Sequence, residues 1–323
     1  MAMQHKYPPL AVAVLGDINV DLSFALPIFP REGDDVPATA LHWGSGGSGL
    51  NIAVALANLG ARARMIGRVG SDPAAAVALR VAQRAGVDLS LLQIDPEVAT
   101  GLCGVMVSPD GQRSFLSFRG ANVRCDPTGI DSSALAGCGL LIVSGHALLD
   151  DSQRTAALHT IDLAAAAGIP CALDLCLPTI HAARQVIAEL MPQFWLLTLN
   201  EDELRALLPG QSIQQALDAL IGAGLHAVAI KRGAQGCSIA YGEKRIDNLP
   251  PAVSAIDTNG CGDAFTAGFA WALLNGGDLA DCATLGNVLG ALTATRPGAA
   301  DAIPTLPEIR SCLAPKTHYL IEP

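Results

Sequence analysis

Read for hydrophobic periodicity, the chain alternates between two kinds of segment. Ala11–Leu15 is a short unbroken apolar run stopped by Gly16, the pattern of a strand buried on both faces. After it the periods take turns: helical at 52–59, strand-like at 64–69, helical at 74–85, strand-like at 139–144 and helical at 153–167. They continue as strand at 171–175, helix at 182–190, strand at 195–199, helices at 201–208 and 213–222, and strand at 227–231. A strand that returns through one helix runs parallel to its predecessor, and a parallel sheet is covered on both faces. The pattern therefore predicts an α/β fold with helices on both sides of a mostly parallel sheet.

Two stretches break the rhythm. Residues 24–43 are rich in proline and charge, and 101–118 alternates like a hairpin whose turn is Pro109, Asp110 and Gly111. Their matching lengths predict that they leave the main sheet and pair as a small β-flap. With no internal repeat or low-complexity linker, the expectation is a single domain over 1–323, with a lid of about 18–45 and 100–122 inserted in it.

Composition narrows the picture. Half the residues are hydrophobic but only 4% are aromatic, so Ala, Val and Leu must fill the core. Thirty acidic against 20 basic residues give a net charge of −10 without a basic run, which argues against a nucleic-acid partner. The nine cysteines form no C-x-x-C pair and read as small buried residues of a reducing compartment. Lys6 and the apolar 10–15 are too short for a signal peptide, and no run approaches the ~20 apolar residues of a membrane span. The expectation is a cytoplasmic protein with no membrane partner.

The strongest chemical signal is Asp257-Thr258-Asn259-Gly260-Cys261-Gly262-Asp263, running directly into the apolar helical stretch 264–274. Small residues at a helix start let backbone N–H groups lie against an anion, which the helix dipole also favours. Asp263 in the first turn is placed to accept the proton of an attacking hydroxyl. Its plainer reading is a carboxylate that satisfies helix-start amides. The GSGGSG of 44–49 matches a dinucleotide fingerprint literally, but it does not follow the first strand and no acidic residue sits ~20 positions onward. The glycines more plausibly admit a small polar ligand, with Asn51 pointing at it. Asn19 and Asp21 share one face of extended chain and can bind vicinal hydroxyls, or belong to a solvated turn. Asn200 and Glu203 can order water around Mg²⁺, cap a helix, or do both. Lys231, Gly233 and Gly236 sit in a turn after a strand. Neither a P-loop nor protein-kinase motifs occur.

Taken together, Gly46-Gly47 with Asn51, Asn200 with Glu203, and Asp257 through Asp263 resemble the ribokinase-like, phosphofructokinase-B-type carbohydrate kinase family over about residues 10–308. The resemblance implies a doubly wound sheet with a β-lid, and transfer of the ATP γ-phosphoryl to a sugar hydroxyl. It makes Asp263 the base and Gly260, Cys261 and Gly262 the anion hole. Asn19, Asp21, Gly46, Gly47 and Asn51 become sugar contacts, Asn200 and Glu203 serve Mg²⁺ and phosphates, and Lys231, Gly233, Gly236 and Asn287 fall in the ATP pocket. Many relatives bind a monovalent cation beside the anion hole, which matches Asp257 and the 293–302 loop and implies a K⁺ site, although Ala302 lacks a side-chain oxygen. Ser48 replaces the lysine usual in ribokinases proper. Arg119 is similar to an arginine of relatives that act on a keto-sugar acid, which leaves two expectations: that it forms a bidentate pair with a substrate carboxylate, or that it covers the ligand without touching it. His146 stands near a polar sugar contact of some relatives or is structural. Cys261 at a helix N-terminus is expected to have a lowered thiol pKa and to react with thiol reagents unless ATP is bound. Alternatives are a nucleoside kinase, with Phe24, Trp43, Phe115 and Phe118 as stacking candidates, and a non-catalytic sensor. Exposed lid edges make a homodimer through the lid a further expectation.

Overall fold

The computed structural model describes residues 11–109 and 112–321. Lys6 and Leu10, and Asp110 and Gly111 of the expected flap turn, lie outside the described residues. In chain order the first half is β1 (Ala11–Leu15), β2 (Asn19–Ala25), β3 (Ala40–Gly46), α1 (Ser48–Asn58), β4 (Arg62–Gly70), α2 (Pro73–Ala85), β5 (Asp88–Asp95), β6 (Gly101–Val107), β7 (Arg113–Phe118) and β8 (Cys138–Ser144). The second half is α3 (Asp151–Ala166), β9 (Cys171–Asp174), α4 (Leu177–Leu190), β10 (Leu196–Asn200), α5 (Glu201–Leu207), α6 (Ile213–Gly222), β11 (Ala227–Lys231), β12 (Cys237–Tyr241), β13 (Lys244–Asn248), α7 (Cys261–Leu274), α8 (Leu279–Thr293) and α9 (Leu306–Cys312).

The main sheet has nine strands in the order β13-β12-β11-β10-β9-β8-β1-β4-β5, parallel except for the β12–β13 hairpin at one edge. Its two faces are written into β1 with a period of two. Val12 and Val14 join the core formed with α1, α2, α7, α8 and α9, while Ala11, Ala13 and Leu15 join the one formed with α3 to α6. From β1 the chain builds outward through β4 to β5, then returns to lay β8 on the other side of β1. That reversal opens a crevice beyond the carboxyl ends of β1 and β8, where open α/β sheets bind ligands.

The expected flap is a second sheet of order β3-β2-β6-β7. β2 pairs antiparallel with β3 and parallel with β6, and β6 pairs antiparallel with β7. β2 and β3 come from the two ends of the first excursion and β6 and β7 from the second, and the proline-rich 26–39 between β2 and β3 is an irregular connector. Helix α7 is buried almost all round because α1 and α8 flank it. It meets α8 at Gly268, where a Cβ would come within 2.9 Å of the Leu285 carbonyl. Among the described residues no helix is long and apolar enough to cross a membrane.

Candidate active site

The carboxyl ends of the main strands, the start of α7 and the inner face of the lid enclose a cleft of about 1050 Å³. That is more than one small ligand fills, so a nucleotide and a second molecule fit end to end. Asn19, Asp21, Gly47, Asn51, Asn200, Glu203, Lys231, Gly233, Gly236, Asn287 and Gly260 through Asp263 all line it.

Helix α7 begins at Gly260, whose φ of 74° is left-handed, and no side chain caps it. Its first amides have no intrahelical acceptor, the Cys261 amide making only a long 3.4 Å contact with the Thr258 carbonyl, so the helix start can turn to an anion. At Gly262 a Cβ would lie 3.3 Å from Lys231 Nζ, so the ammonium stands against this helix start. Lys231 donates to Asp174 Oδ1 at 2.7 Å, and Thr198 and Thr266 hydroxyls donate to the same oxygen at 2.5 and 2.9 Å. Burial alone would lower the Lys231 pKa, but the charges of Asp174 and Glu203 raise it, so the group stays a cation. Sequence reasoning missed Asp174. Its signal was a lone carboxylate closing an apolar strand on the ligand side of the sheet.

Asp263 accepts from Ser48 Oγ through Oδ1 and from Asn51 Nδ2 through Oδ2, both at 2.7 Å. Burial and the nearby Asp174 charge push its pKa up to about 6, with the Asn51 and Ser48 hydrogen bonds pulling the other way. The Asn51 Oδ1 is buried without a protein partner, an acceptor left over for a ligand hydroxyl. Asp21 accepts from Asn259 Nδ2 at 3.1 Å, and burial raises its pKa to about 7, with Asp263 and Asp257 adding to the rise. Gly46 backs this carboxylate rather than lining the cleft, since a Cβ there would fall within 2.4 Å of it. Gly47, with φ at 95°, allows the Asp17 carbonyl to approach the start of α1. Asn19 Oδ1 accepts from Asn122 Nδ2 at 2.9 Å.

Asn200 and Glu203 form a complete capping box on α5 and also face the cleft, so both readings of the pair hold together. Burial pushes the Glu203 pKa up to about 7, against the pull of Lys231. Gly236, with φ at 80°, is required because a Cβ would meet the Asn248 carbonyl at 1.9 Å. The Asn287 amide reaches the cleft wall, but its NH₂ is committed to Asn248 at 2.9 and 3.0 Å.

Comparison with known proteins decides what this arrangement belongs to. The family model described as pfkB family carbohydrate kinase matches residues 10–306. The chain belongs to the pfkB carbohydrate kinases. It is similar to a deoxyribokinase of Salmonella typhi, 27% identical over 310 residues that cover 94% of this chain and 98% of that protein. An ATP-dependent ribose-1-phosphate kinase of Halopiger xanaduensis is 29% identical over 306 residues, 93% of this chain and 96% of the other. The solved structure of Arabidopsis thaliana ribokinase complexed with ribose and ATP aligns with a TM-score of 0.83 at 25% identity, over 94% of this chain and 99% of that one. The protein is an ATP-dependent sugar kinase, a phosphotransferase with an alcohol group as acceptor.

Within this pfkB kinase three expectations change. Arg119 does not line the cleft: its guanidinium grips Asp17 at 2.8 and 3.1 Å, pairs with Asp150, and donates to Gln153 Oε1 and the His146 carbonyl. The result is that Asp17, which burial alone would push up, is held below the usual carboxylate range by that guanidinium. No fork remains for a substrate carboxylate. The Cys261 thiol is raised to about 12, not lowered, because burial and the carboxylates of Asp257 and Asp263 outweigh the helix start. Asp257 lies outside the cleft wall and its carboxylate is engaged by the Asn259 and Gly298 amides and by Arg113. His146 does line the cleft; burial would lower its pKa, but a hydrogen bond to Cys176 and the charge of Asp17 raise it to about 9.

Proposed function

We propose that this kinase phosphorylates a neutral sugar, with Asp263 as the base and the Gly260, Cys261 and Gly262 amides, assisted by Lys231, as the anion hole. The observation that carries the reading is convergence. Asp263 stands in the first turn of the helix whose amides are uncapped, hydrogen-bonded to Asn51, whose own oxygen lacks a partner. A hydroxyl donating to Asp263 in place of Ser48 is held beside the α7 amides, which makes the attack effectively intramolecular. With a pKa of about 6 the carboxylate is mostly ionised at neutral pH yet basic enough to take the proton as the bond forms. The amides and the Lys231 ammonium stabilise the charge that develops on the transferring group. A bound Mg²⁺ would supply charge neutralisation for the phosphates. The buried Glu203 carboxyl and the Asn200 amide oxygen fit an ion that keeps its waters, and would hold it through them.

The wall that faces the sugar carries Asp21, Asp263, Asn19 and Asn51, and the nearby arginine is already paired. A substrate carboxylate would meet two acids there. A polyol with vicinal hydroxyls suits the same wall, and the names of the relatives put a pentose at the head of the candidates. One observation favours a second reading as a nucleoside kinase. Phe115 of the lid lines the cleft and offers one aromatic wall, whereas Phe24, Trp43 and Phe118 do not line it. ATP consumption measured with deoxyribose, ribose, fructose, 2-keto-3-deoxygluconate, adenosine and pseudouridine separates these. Turnover on a neutral sugar supports the proposal. Turnover confined to the keto-sugar acid or to a nucleoside overturns it.

A homodimer through the lid is part of the same proposal. The outer strands β3 and β7 each have one edge without a partner strand among the described residues, and Leu41, Trp43 and Leu116 of the lid are exposed. Sedimentation of the protein and of a Trp43→Ser variant tests it, a monomer in both cases being the contrary result.

A further inference from the structure

At the foot of the anion-hole loop three oxygens converge on one point, and a cation from the lid occupies it. Arg113, the first residue of β7, donates through Nη2 to the Ile256 carbonyl at 2.9 Å, and its Nη1 lies 3.4 Å from Thr258 Oγ1. Its Nε stands 3.2 Å from Asp257 Oδ1, and the side chain is only 14% exposed. Asp257 in turn accepts from the Asn259 amide at 2.8 Å and the Gly298 amide at 2.9 Å. The carboxylate thus pins the loop that leads into Gly260 to the loop that follows α8. That second loop also carries Asp301, which accepts from the Ser45 amide of β3 at 2.8 Å and pairs with Arg80 at 2.7 Å. Both outer strands of the lid sheet, β7 and β3, therefore end on the loops that frame the start of α7.

A carboxylate, a carbonyl and a hydroxyl make an oxygen donor set of the kind a bare hard cation takes. The monovalent cation expected at Asp257 and the 293–302 loop finds both carboxylate oxygens already engaged, Oδ1 by the Arg113 guanidinium and the Asn259 amide and Oδ2 by the Gly298 amide of that loop. We propose that Arg113 is a positioning residue that supplies a tethered cation at Asp257 in place of a diffusible one, and so makes the shape of the anion hole depend on the lid being down. The proposal rests on the reading of Gly260 through Gly262 as the anion hole. It predicts a kinase that needs no K⁺, and one that acquires a K⁺ requirement when the arginine is removed.

The test is initial-rate kinetics at constant ionic strength with K⁺, Na⁺ or tetramethylammonium as the only monovalent cation, together with thermal melting in the same buffers. The wild-type rate should change less than about twofold among the three, and its melting temperature should not respond to K⁺ in particular. Arg113→Met, which keeps the stem without the charge, should lose about tenfold or more in kcat with a smaller change in sugar KM. K⁺ or guanidinium should restore part of that loss, and K⁺ should raise the melting temperature of this variant alone. Arg113→Lys should retain most of the turnover in tetramethylammonium. Strong K⁺ activation of the wild type overturns the proposal, as does full activity of Arg113→Met in tetramethylammonium. So does an Arg113→Met defect that no cation relieves in rate or in melting. If that variant does not fold, the wild-type cation series and Arg113→Lys decide. A wild type inactive with every acceptor instead defeats the anion-hole reading, and the melting comparison still tests the cation.

Discussion

Val12, Val14 and Leu15 at the centre of the nine-stranded sheet are wholly buried, whereas Trp43, Phe115, Leu116 and Phe118 of the lid sheet are roughly half exposed or more. The two sheets share the same kind of backbone pairing but differ in what holds them in place. Separating the main sheet from its helices would expose two apolar cores, each buried square ångström of which is worth ~25 cal/mol. The lid is held by polar contacts, Arg113 to the 256–258 segment, Ser45 to Asp301 and to the Val77 carbonyl, and Asn259 to Asp21, of the kind worth about 1–3 kcal/mol each, and by a small buried inner face at Val20 and Val105. A sheet so held has much less apolar surface keeping it in place than the main sheet has. The chemistry divides along the same line: Asp263, Asp174 and Lys231 stand on the rigid body, while Asn19 and Asp21 ride on the lid. On the proposed reading the body would carry the reacting groups and the lid some of the sugar contacts, an arrangement in which a lid can exclude water without moving the reacting groups.

The comparison breaks most visibly at the base. Asp263→Asn should lower kcat by ~10²–10⁴, while ATP binding measured by calorimetry changes little, because the amide keeps the shape and loses only the proton acceptor. A variant of near-normal turnover would remove Asp263 from the reaction and place the chemistry elsewhere in the cleft. Stability should divide the two sheets just as sharply. Phe269→Ala, in the fully buried middle of α7, should cost about 3–5 kcal/mol in denaturant unfolding. Leu116→Ser, on the exposed side of the lid, should stay within about 0.5 kcal/mol. Equal costs would mean that the lid is a packed part of the core.

How much of this was legible follows from the same contrast. The central strands were readable because burial on both faces leaves unbroken apolar runs such as 11–15 and 227–231. β5 was not, because Asp88–Asp95 is a half-exposed edge strand with polar residues along it. α8 was missed because a helix buried on most sides, carrying Gly286 and Gly290, shows no clean amphipathic stripe. In the site, Asp263, Asn51, Asn200 and Glu203 were found from local spacing. Asp174 and Arg113 were not, since their roles depend on partners such as Lys231 and Asp257, 57 and more than 140 residues away. Arg119 was misread for the same reason: the sequence shows a fork but not the Asp17 carboxylate 102 residues distant that fills it.

Acidity tests the division in a graded way. As the proposed base Asp263 would act in its ionised form, so kcat/KM should fall about tenfold per unit as pH drops below about 6. Stability should move in the opposite direction. Asp21, Asp263 and Glu203 have folded pKa values raised above their ordinary range, so between pH ~4.5 and 7 the native state binds more protons than the unfolded chain. Their contribution therefore grows as pH falls through that window. Melting of the ligand-free protein at pH 5.5 should come no lower than at pH 7.5, although turnover has dropped. A parallel loss of both would attribute the acid limb to unfolding rather than to the base.

The smallest effect concerns the cysteines, where two forces compete at one atom. A helix start is worth about 0.3–1 kcal/mol to a nearby anion, less than one pKa unit, whereas full burial shifts a group by up to 3–5 units. At Cys261 burial wins, reinforced by the carboxylates of Asp257 and Asp263, and the thiol is pushed up to about 12. Reactivity follows the thiolate, so this side chain is expected to stay unreactive at neutral pH despite its place at the start of α7. Cys312 at the end of α9 is exposed and does not line the cleft. Iodoacetamide at pH 7.5 should modify Cys312, spare Cys261 and leave turnover intact, with ATP making no difference. Mass spectrometry that finds Cys261 alkylated in step with lost activity would show instead that the start of α7 opens to solvent, and with it that the rigid half of this kinase is less rigid than its packing requires.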